Sequence, residues 1–198
     1  MADFTKYDLE RYDRQIRING FGEAGQMRLK NARVLIAGAG GLGFPISVYL
    51  VAAGVGTVRI VDCETVELSN LNRQLLHWDE DVGRGKVESA CEKLQEINPT
   101  VKVEVCDEVI TDDNVLALVN GMDAVVDALD NYAARYALNR EDGEETWNNA
   151  RRDHKQHPSQ SAEGTKEKIR EGERMSNDEF PLRNPIPPGA ILTGMILG

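Results

Sequence analysis

With 198 residues the chain has room for one α/β domain and little else. Its formal net charge of −10 excludes nucleic acid and anionic membrane as main partners, since a net-negative surface repels both, and a bound polyphosphate would need locally placed arginine and lysine. Three cysteines (Cys63, Cys91, Cys106) lack C-x-x-C spacing, residues 1–6 lack an apolar signal core, and no apolar run nears the ~18 residues that span a bilayer, which predicts a cytoplasmic protein with reduced thiols.

Residues 1–32 read as an N-terminal helical arm, with Tyr7, Leu9, Tyr12, Ile16 and Ile18 as apolar contacts among many charges. From Arg33 strand and helix patterns alternate: strand 33–37, helix 46–53, strand 57–61, helix 86–97, strand 101–106, helix 113–119, strand 124–129, and a last helix from Asp130 through Leu138. That alternation specifies an α/β, Rossmann-like fold, a mainly parallel sheet with helices on both faces, over residues 33–140. Asn98-Pro99 stops one helix, Thr111 is an expected N-cap of the next, and Gly121 closes it. Residues 141–179 are polar and too poor in apolar side chains to offset their ordering entropy, so disorder is expected there. Residues 180–198 form a proline-rich apolar closing piece.

The stretch Arg33-Val34-Leu35-Ile36-Ala37-Gly38-Ala39-Gly40-Gly41-Leu42-Gly43 is a buried strand running into G-x-G-x-x-G. Gly38 permits a tight turn, Gly40 lets backbone approach a phosphate, and Gly43 allows close strand–helix packing, while a helix N-terminus offers N–H groups and partial positive charge. Asp62, ending the second strand, stands at the spacing where an acid meets ribose hydroxyls. Alone this points to NAD or FAD. The segment Val66-Glu67-Leu68-Ser69-Asn70-Leu71-Asn72-Arg73-Gln74-Leu75-Leu76-His77 then places a polar cluster at the carboxyl edge of strand two, for which a dehydrogenase has no use. Arg73 can fork onto phosphate oxygens, Lys86 is a point charge at a helix start, Asn70 can hydrogen-bond oxygens, and Asp130 is suited to a Mg²⁺ bridged to a triphosphate.

Each residue also has a plainer reading. Asp62 could be a turn residue, Arg73 and Lys86 surface charges, Asp130 an N-cap, Arg14 an ion-pair partner within its own arm, and His77 a packing residue. His154 and His157 have no partners at metal-ligand spacing.

Six ordered motifs decide among these readings. Arg11-Tyr12-Asp13-Arg14-Gln15, Gly25-Gln26-Met27-Arg28-Leu29, the Ala37-to-Gly43 loop, Ser69-Asn70-Leu71-Asn72-Arg73-Gln74, Gly85-Lys86 and Asp127-Ala128-Leu129-Asp130-Asn131 make the chain resemble the E1-like adenylyltransferase family over about residues 10–140. It is most similar there to the molybdopterin-synthase and thiamine-biosynthesis adenylyltransferases. The resemblance implies that Gly38, Gly40, Gly41 and Gly43 lie against ATP phosphates and that Asp62 holds the ribose. Ser69, Asn70, Asn72, Arg73 and Asn131 would belong to the nucleotide site, Lys86 would neutralise charge near the α-phosphate, and Asp130 would bind Mg²⁺. Arg14 would reach across a dimer into the partner's site, making Arg14, Arg73, Lys86 and Asp130 the catalytic set.

The implied reaction is adenylation of the C-terminal glycine of a ubiquitin-like sulfur-carrier protein. The rival expectations are a non-catalytic nucleotide-binding subunit that pairs with an intact homologue, an NAD-dependent oxidoreductase, and an ATP-dependent tRNA-modifying branch of the family. The family's two zinc-binding C-x-x-C pairs have no counterpart, because no cysteine follows Cys106. Neither a structural zinc of that form nor thiol transfer from the usual position is therefore expected.

Overall fold

The computed structural model describes residues 4–141 and 190–192. Three helices form the arm, α1 (Lys6–Arg11), α2 (Asp13–Ile16) and α3 (Gly22–Asn31); then follow β1 (Arg33–Ala37), α4 (Gly43–Ala53), β2 (Thr57–Val61), α5 (Lys86–Ile97), β3 (Lys102–Cys106), α6 (Val115–Val119), β4 (Ala124–Asp127), α7 (Tyr132–Glu141) and β5 (Ala190–Leu192). The strands make one parallel sheet in the order β3-β2-β1-β4-β5. β5 comes from the apolar closing piece, whereas the expected disorder of residues 141–179 lies outside the described residues.

Both faces of the sheet are covered, which is why β1 and β4 are near-continuous apolar runs and β2 is broken only by Arg59. On one face Val34, Ile36, Val58, Ile60 and Val126 pack with Val51 of α4 and with Val87, Ala90 and Leu94 of α5. On the other, Leu35, Ala37, Val61 and Val125 pack with Val115 and Leu118 of α6 and Ala134, Ala137 and Leu138 of α7. Alternation of side chains along each strand assigns neighbours to opposite faces.

Where boundaries depart from the sequence pattern, a local bond explains it. α4 begins at Gly43 instead of residue 46, the turn before it being closed by the Phe44 N–H on Gly40 O (3.0 Å). β4 stops at Asp127, two residues early, and α7 starts at Tyr132 because the Asn131 side chain accepts the Ala134 N–H (3.0 Å). α6 starts at Val115 behind Asn114, not Thr111: the Asn114 carbonyl oxygen accepts the Thr111 N–H (2.8 Å) and ties the turn.

The arm docks on the strand-start end of the sheet. α1 opens with a reciprocal cap between Thr5 and Asp8. Arg11 donates to the Ile97 carbonyl closing α5, and Gln15 and Gln26 both donate to Ala53 O at the end of α4 (2.9 and 2.8 Å). The buried Tyr12 hydroxyl accepts from Asn98 Nδ2 (2.8 Å). These bonds give the arm's motif residues a structural duty.

A charged cluster ties three strands together. Glu104 of β3 accepts from Arg59 of β2 (2.7 and 2.9 Å) and pairs with Lys102 (2.8 Å) and with Arg33 of β1 (3.4 Å). Hydrogen bonding from Lys102 and then Arg59, outweighing burial, holds the Glu104 carboxyl at about 2 instead of 4.5. A depressed carboxyl contributes stability that is complete above the unfolded-state value and is lost as pH falls through the folded one. Glu104→Gln is therefore expected to flatten the acid limb: between about pH 5 and pH 2 the native chain loses on the order of 2 kcal/mol more than the variant in urea titrations.

Candidate active site

The order β3-β2-β1-β4-β5 reverses direction at β1, whose neighbours β2 and β4 lead to helices on opposite faces. Open α/β sheets bind ligands at the carboxyl ends of the strands flanking such a reversal. The segments after β1, β2 and β4 meet there, and they carry most of the residues singled out from the sequence.

The loop after β1 is held by its own glycines. Gly38 adopts φ +100°, donates to Val61 O (2.8 Å), and a Cβ on it would meet Ala128 O at 2.7 Å. A Cβ on Gly43 would stand 1.8 Å from Gly38 O. Both glycines are required by the fold itself. Gly40 and Gly41 are different: a Cβ on either would meet only side chains, Gln74 Nε2 or Arg73 Cγ, at an ordinary 3.7 Å. Nothing in the fold demands glycine at these two positions, so their bare backbone is surface left open over the loop. No side chain caps the N-terminus of α4 behind it; the Phe44 N–H is taken by Gly40 O (3.0 Å) and Pro45 has none, so it is chiefly the positive end of the helix dipole that is turned towards an anion there.

Asp62 is half-buried and accepts the Ala39 N–H (2.7 Å) and the Glu64 N–H (2.8 Å), so it braces the glycine loop. Arg73 is exposed, its chain passing over Gly41; Nη1 donates to Ser69 O (3.1 Å) and Asn72 Oδ1 (3.0 Å), which aims the guanidinium. Asn70 is buried and accepts the Glu67 N–H (3.0 Å), a capping duty, while the Ser69 hydroxyl donates to Glu67 Oε2 (3.0 Å). Lys86 is 3% exposed and ion-paired with Glu64 Oε2 at 2.5 Å. Asp130 is exposed and makes no hydrogen bond among the described residues; the N-cap duty belongs to Asn131.

Arg14 stands apart. Its neighbour Gln15 bonds the far end of α4, and the 11 residues of that helix span about 16 Å at 1.5 Å each. Arg14 is exposed there, at the pole opposite the glycine loop of its own chain.

Sequence reasoning missed several members of the site. Glu64, two residues beyond Asp62, is the counterion of Lys86. Asp127, 4% exposed, accepts the Leu129 N–H (3.1 Å) and pairs with Arg135 (2.9 Å), which shapes the turn after β4. Gln74, 3% exposed, lies under the glycine loop, its Nε2 3.7 Å from where a Cβ on Gly40 would stand, while His77, read from the sequence as a packing residue, is likewise 3% exposed. Gln74 stood in a quoted motif, and its place beside Arg73 was the available signal.

Fold and site together define a Rossmann-like α/β domain with a glycine loop at the switch point of its sheet. The ThiF family model matches residues 12–142, and the chain belongs to the ThiF family. It is 48% identical over 136 residues to the sulfur carrier protein adenylyltransferase of Thermus thermophilus, covering 69% of this chain and 50% of that protein. It is 46% identical over 139 residues to the molybdopterin-synthase adenylyltransferase of Escherichia coli, covering 70% of this chain and 56% of that protein. Among solved structures, the Escherichia coli tRNA N6-threonylcarbamoyladenosine dehydratase TcdA in complex with ATP superposes with TM-score 0.66 at 28% identity, covering 71% of this chain and 58% of that one. The chain spans between 30% and 56% of the length of curated relatives that it matches. Among the described residues no helix is long and apolar enough to cross a membrane, and no cluster of three His, Cys, Asp or Glu side chains could hold a metal.

Proposed function

We propose that the chain binds ATP with Mg²⁺ and adenylates the C-terminal glycine of a ubiquitin-like sulfur-carrier protein. The observation that carries the reading is the open backbone of Gly40 and Gly41, roofed by Arg73 and backed by the uncapped α4, where no internal packing requires glycine. The two relatives named as adenylyltransferases and the ATP-bound dehydratase support the same ligand.

A carboxylate oxygen of the carrier attacks the α-phosphorus, the bond from that phosphorus to the bridging oxygen breaks, and pyrophosphate leaves. The nucleophile has a pKa near ~3.5 and is already ionised, so no general base is needed. Catalysis is alignment and charge stabilisation. The loop 38–43 holds phosphate oxygens, Arg73 forks onto the triphosphate, Lys86 offers its ammonium to the α-phosphate, and Asp62 has lone pairs left for the ribose. Asp130 suits Mg²⁺, which is commonly held by one carboxylate together with substrate phosphates and, when bound, neutralises charge on them. Arg14, at the opposite pole, acts on the site of a second copy, so the active form is a dimer. A cytoplasmic setting belongs to the same reading.

Carrier-dependent ATP–pyrophosphate exchange tests it. Exchange by the wild-type chain, abolished by Arg73→Ala and by Asp130→Ala, is the expected result. ATP binding without exchange would instead favour a non-catalytic subunit that lends Arg14 to an intact homologue, a reading that the departure of residues 141–179 from the family pattern supports. Binding of NAD but not ATP would refute the triphosphate site.

A further inference from the structure

The glycine loop, the end of β2 and the start of α5 are strung together through one exposed acid, Glu64, to which the proposed chemistry gives no part. Asp62 accepts the Ala39 N–H on Oδ2 (2.7 Å) and the Glu64 N–H on Oδ1 (2.8 Å), so each of its oxygens is tied to backbone. Glu64 in turn is bonded twice to Lys86. Its carbonyl accepts the Lys86 N–H (2.9 Å), and its Oε2 accepts from Lys86 Nζ (2.5 Å). Beside that pair the chain closes a neck: Thr65 and Gly85 form an antiparallel bridge, the Val66 N–H donates to Arg84 O (2.8 Å), and the Gly83 N–H donates to Val66 O (2.8 Å). Residues 67–82, which include Asn70 and Arg73, are the loop that this neck closes.

The two ends of the ion pair differ in their surroundings. The Lys86 side chain is 3% exposed, whereas that of Glu64 is 60% exposed. Among the described residues Glu64 is the one hydrogen-bond partner of the Lys86 ammonium. An ammonium carries three N–H donors, so two are left for a further acceptor, and a phosphate oxygen is one that suits them. A lysine head is a point charge on a flexible stem, without the rigid fork of arginine, and its direction is set by what it is bonded to. Here that is Glu64. The neck and the brace on Asp62 are made by main-chain groups of residues 64–66 and 83–86, so replacing the Glu64 side chain leaves every one of those bonds in place. The carboxylate is thus separable from the fold around it.

We propose that Glu64 is a positioning residue for the adenylation step: its carboxylate holds the Lys86 ammonium at one place beside the end of β2, with two N–H donors left for the α-phosphate. The role rests on the ATP reading given above. It gives binding and turnover opposite responses to loss of the acid. A carboxylate beside a triphosphate repels it, so removing Glu64 does not weaken the binding of ATP. An unheld ammonium, however, follows the charge of the bound triphosphate and stabilises the ground state as well as the transition state, which leaves the barrier of the step higher. Held by Glu64, it acts where charge develops at the α-phosphorus.

Glu64→Ala, assayed by carrier-dependent ATP–pyrophosphate exchange, tests this. Its kcat is expected to fall about 10-fold with the KM for ATP unchanged or lower, and Glu64→Asp, which returns a carboxylate, is expected to recover most of the rate. A merely structural role would raise KM as kcat falls and would lower the unfolding midpoint. The second measurement is a double-mutant cycle: in a Lys86→Ala background, adding Glu64→Ala should change exchange by less than about 2-fold, because a residue that acts through Lys86 has nothing left to hold. Wild-type kcat in Glu64→Ala, a KM raised in step with the fall in kcat, no recovery by Glu64→Asp, or the full effect in the Lys86→Ala background would overturn the proposal. A wild-type chain that binds ATP without exchange would overturn this role and leave the ATP site standing. One that fails to bind ATP would overturn the nucleotide reading and this role together.

Discussion

Gly43→Ala is expected to unfold the site: stability should fall by on the order of 3–5 kcal/mol in denaturant titrations, with ATP binding lost alongside. The added methyl would stand 1.8 Å from Gly38 O and 2.8 Å from Gly38 C, with the Ala128 methyl 3.6 Å away. Neither side can retreat cheaply. Gly38 is tied to Val61 O at 2.8 Å and backed by the Ala128 carbonyl, while Gly43 is the first residue of a helix packed against β1. Gly41→Ala is the control, since its methyl meets Arg73 Cγ at 3.7 Å with no positive φ to relieve. Its stability should stay within about 0.5 kcal/mol of wild type, yet its ATP affinity should drop, because the methyl occupies surface kept open for the ligand. Equal losses of stability in both variants would contradict the distinction drawn between the two kinds of glycine.

Lys86→Ala is expected to lower carrier-dependent pyrophosphate exchange about 10²- to 10³-fold, the effect of deleting one preorganised charge from a phosphoryl or acyl transfer site. The cost in stability should be far smaller. The Glu64 carboxylate left behind has a side chain 60% exposed and rehydrates, so what stability is lost comes mainly from the packing of the buried Lys86 stem. A fall in exchange far larger than any loss of folded protein under assay conditions is thus the diagnostic pair of results. Retention of full exchange would remove Lys86 from the catalytic set.

The sequence made β1, β2 and α5 legible to the residue. After Arg33, β1 is an apolar run, β2 is broken only by Arg59, and Val87, Ala90 and Leu94 mark one helix face. It was less informative wherever backbone geometry is set by a bond across the fold. No pattern in residues 128–131 tells that Asp127 and Asn131 divide the turn between them, one holding Arg135 and the other capping α7. The glycines were readable as a motif but not as two classes, since only the approach of Gly38 to Ala128 and of Gly43 to Gly38 separates the required from the permissive. Asp62 was read as a ligand group, and its bond to Ala39 is a second duty that linear spacing cannot encode. The buried bonds of Lys93 with Asp81 and Ser89, and of Ser89 with His77, escaped notice for the same reason: His77 was read only as a packing residue, and the others look like ordinary polar residues until α5 brings Ser89 and Lys93, four apart, onto one buried face against residues 77–81.

The ion cluster around Glu104 also governs how the molecule meets its neighbours. β3 is an edge strand, and an open row of amides and carbonyls invites an incoming strand. Lys102, with 67% of its side chain exposed and anchored by Glu104, places a solvated charge on that edge which any added strand would have to strip of water. The edge is thereby guarded against sheet extension and the fibre growth that follows from it.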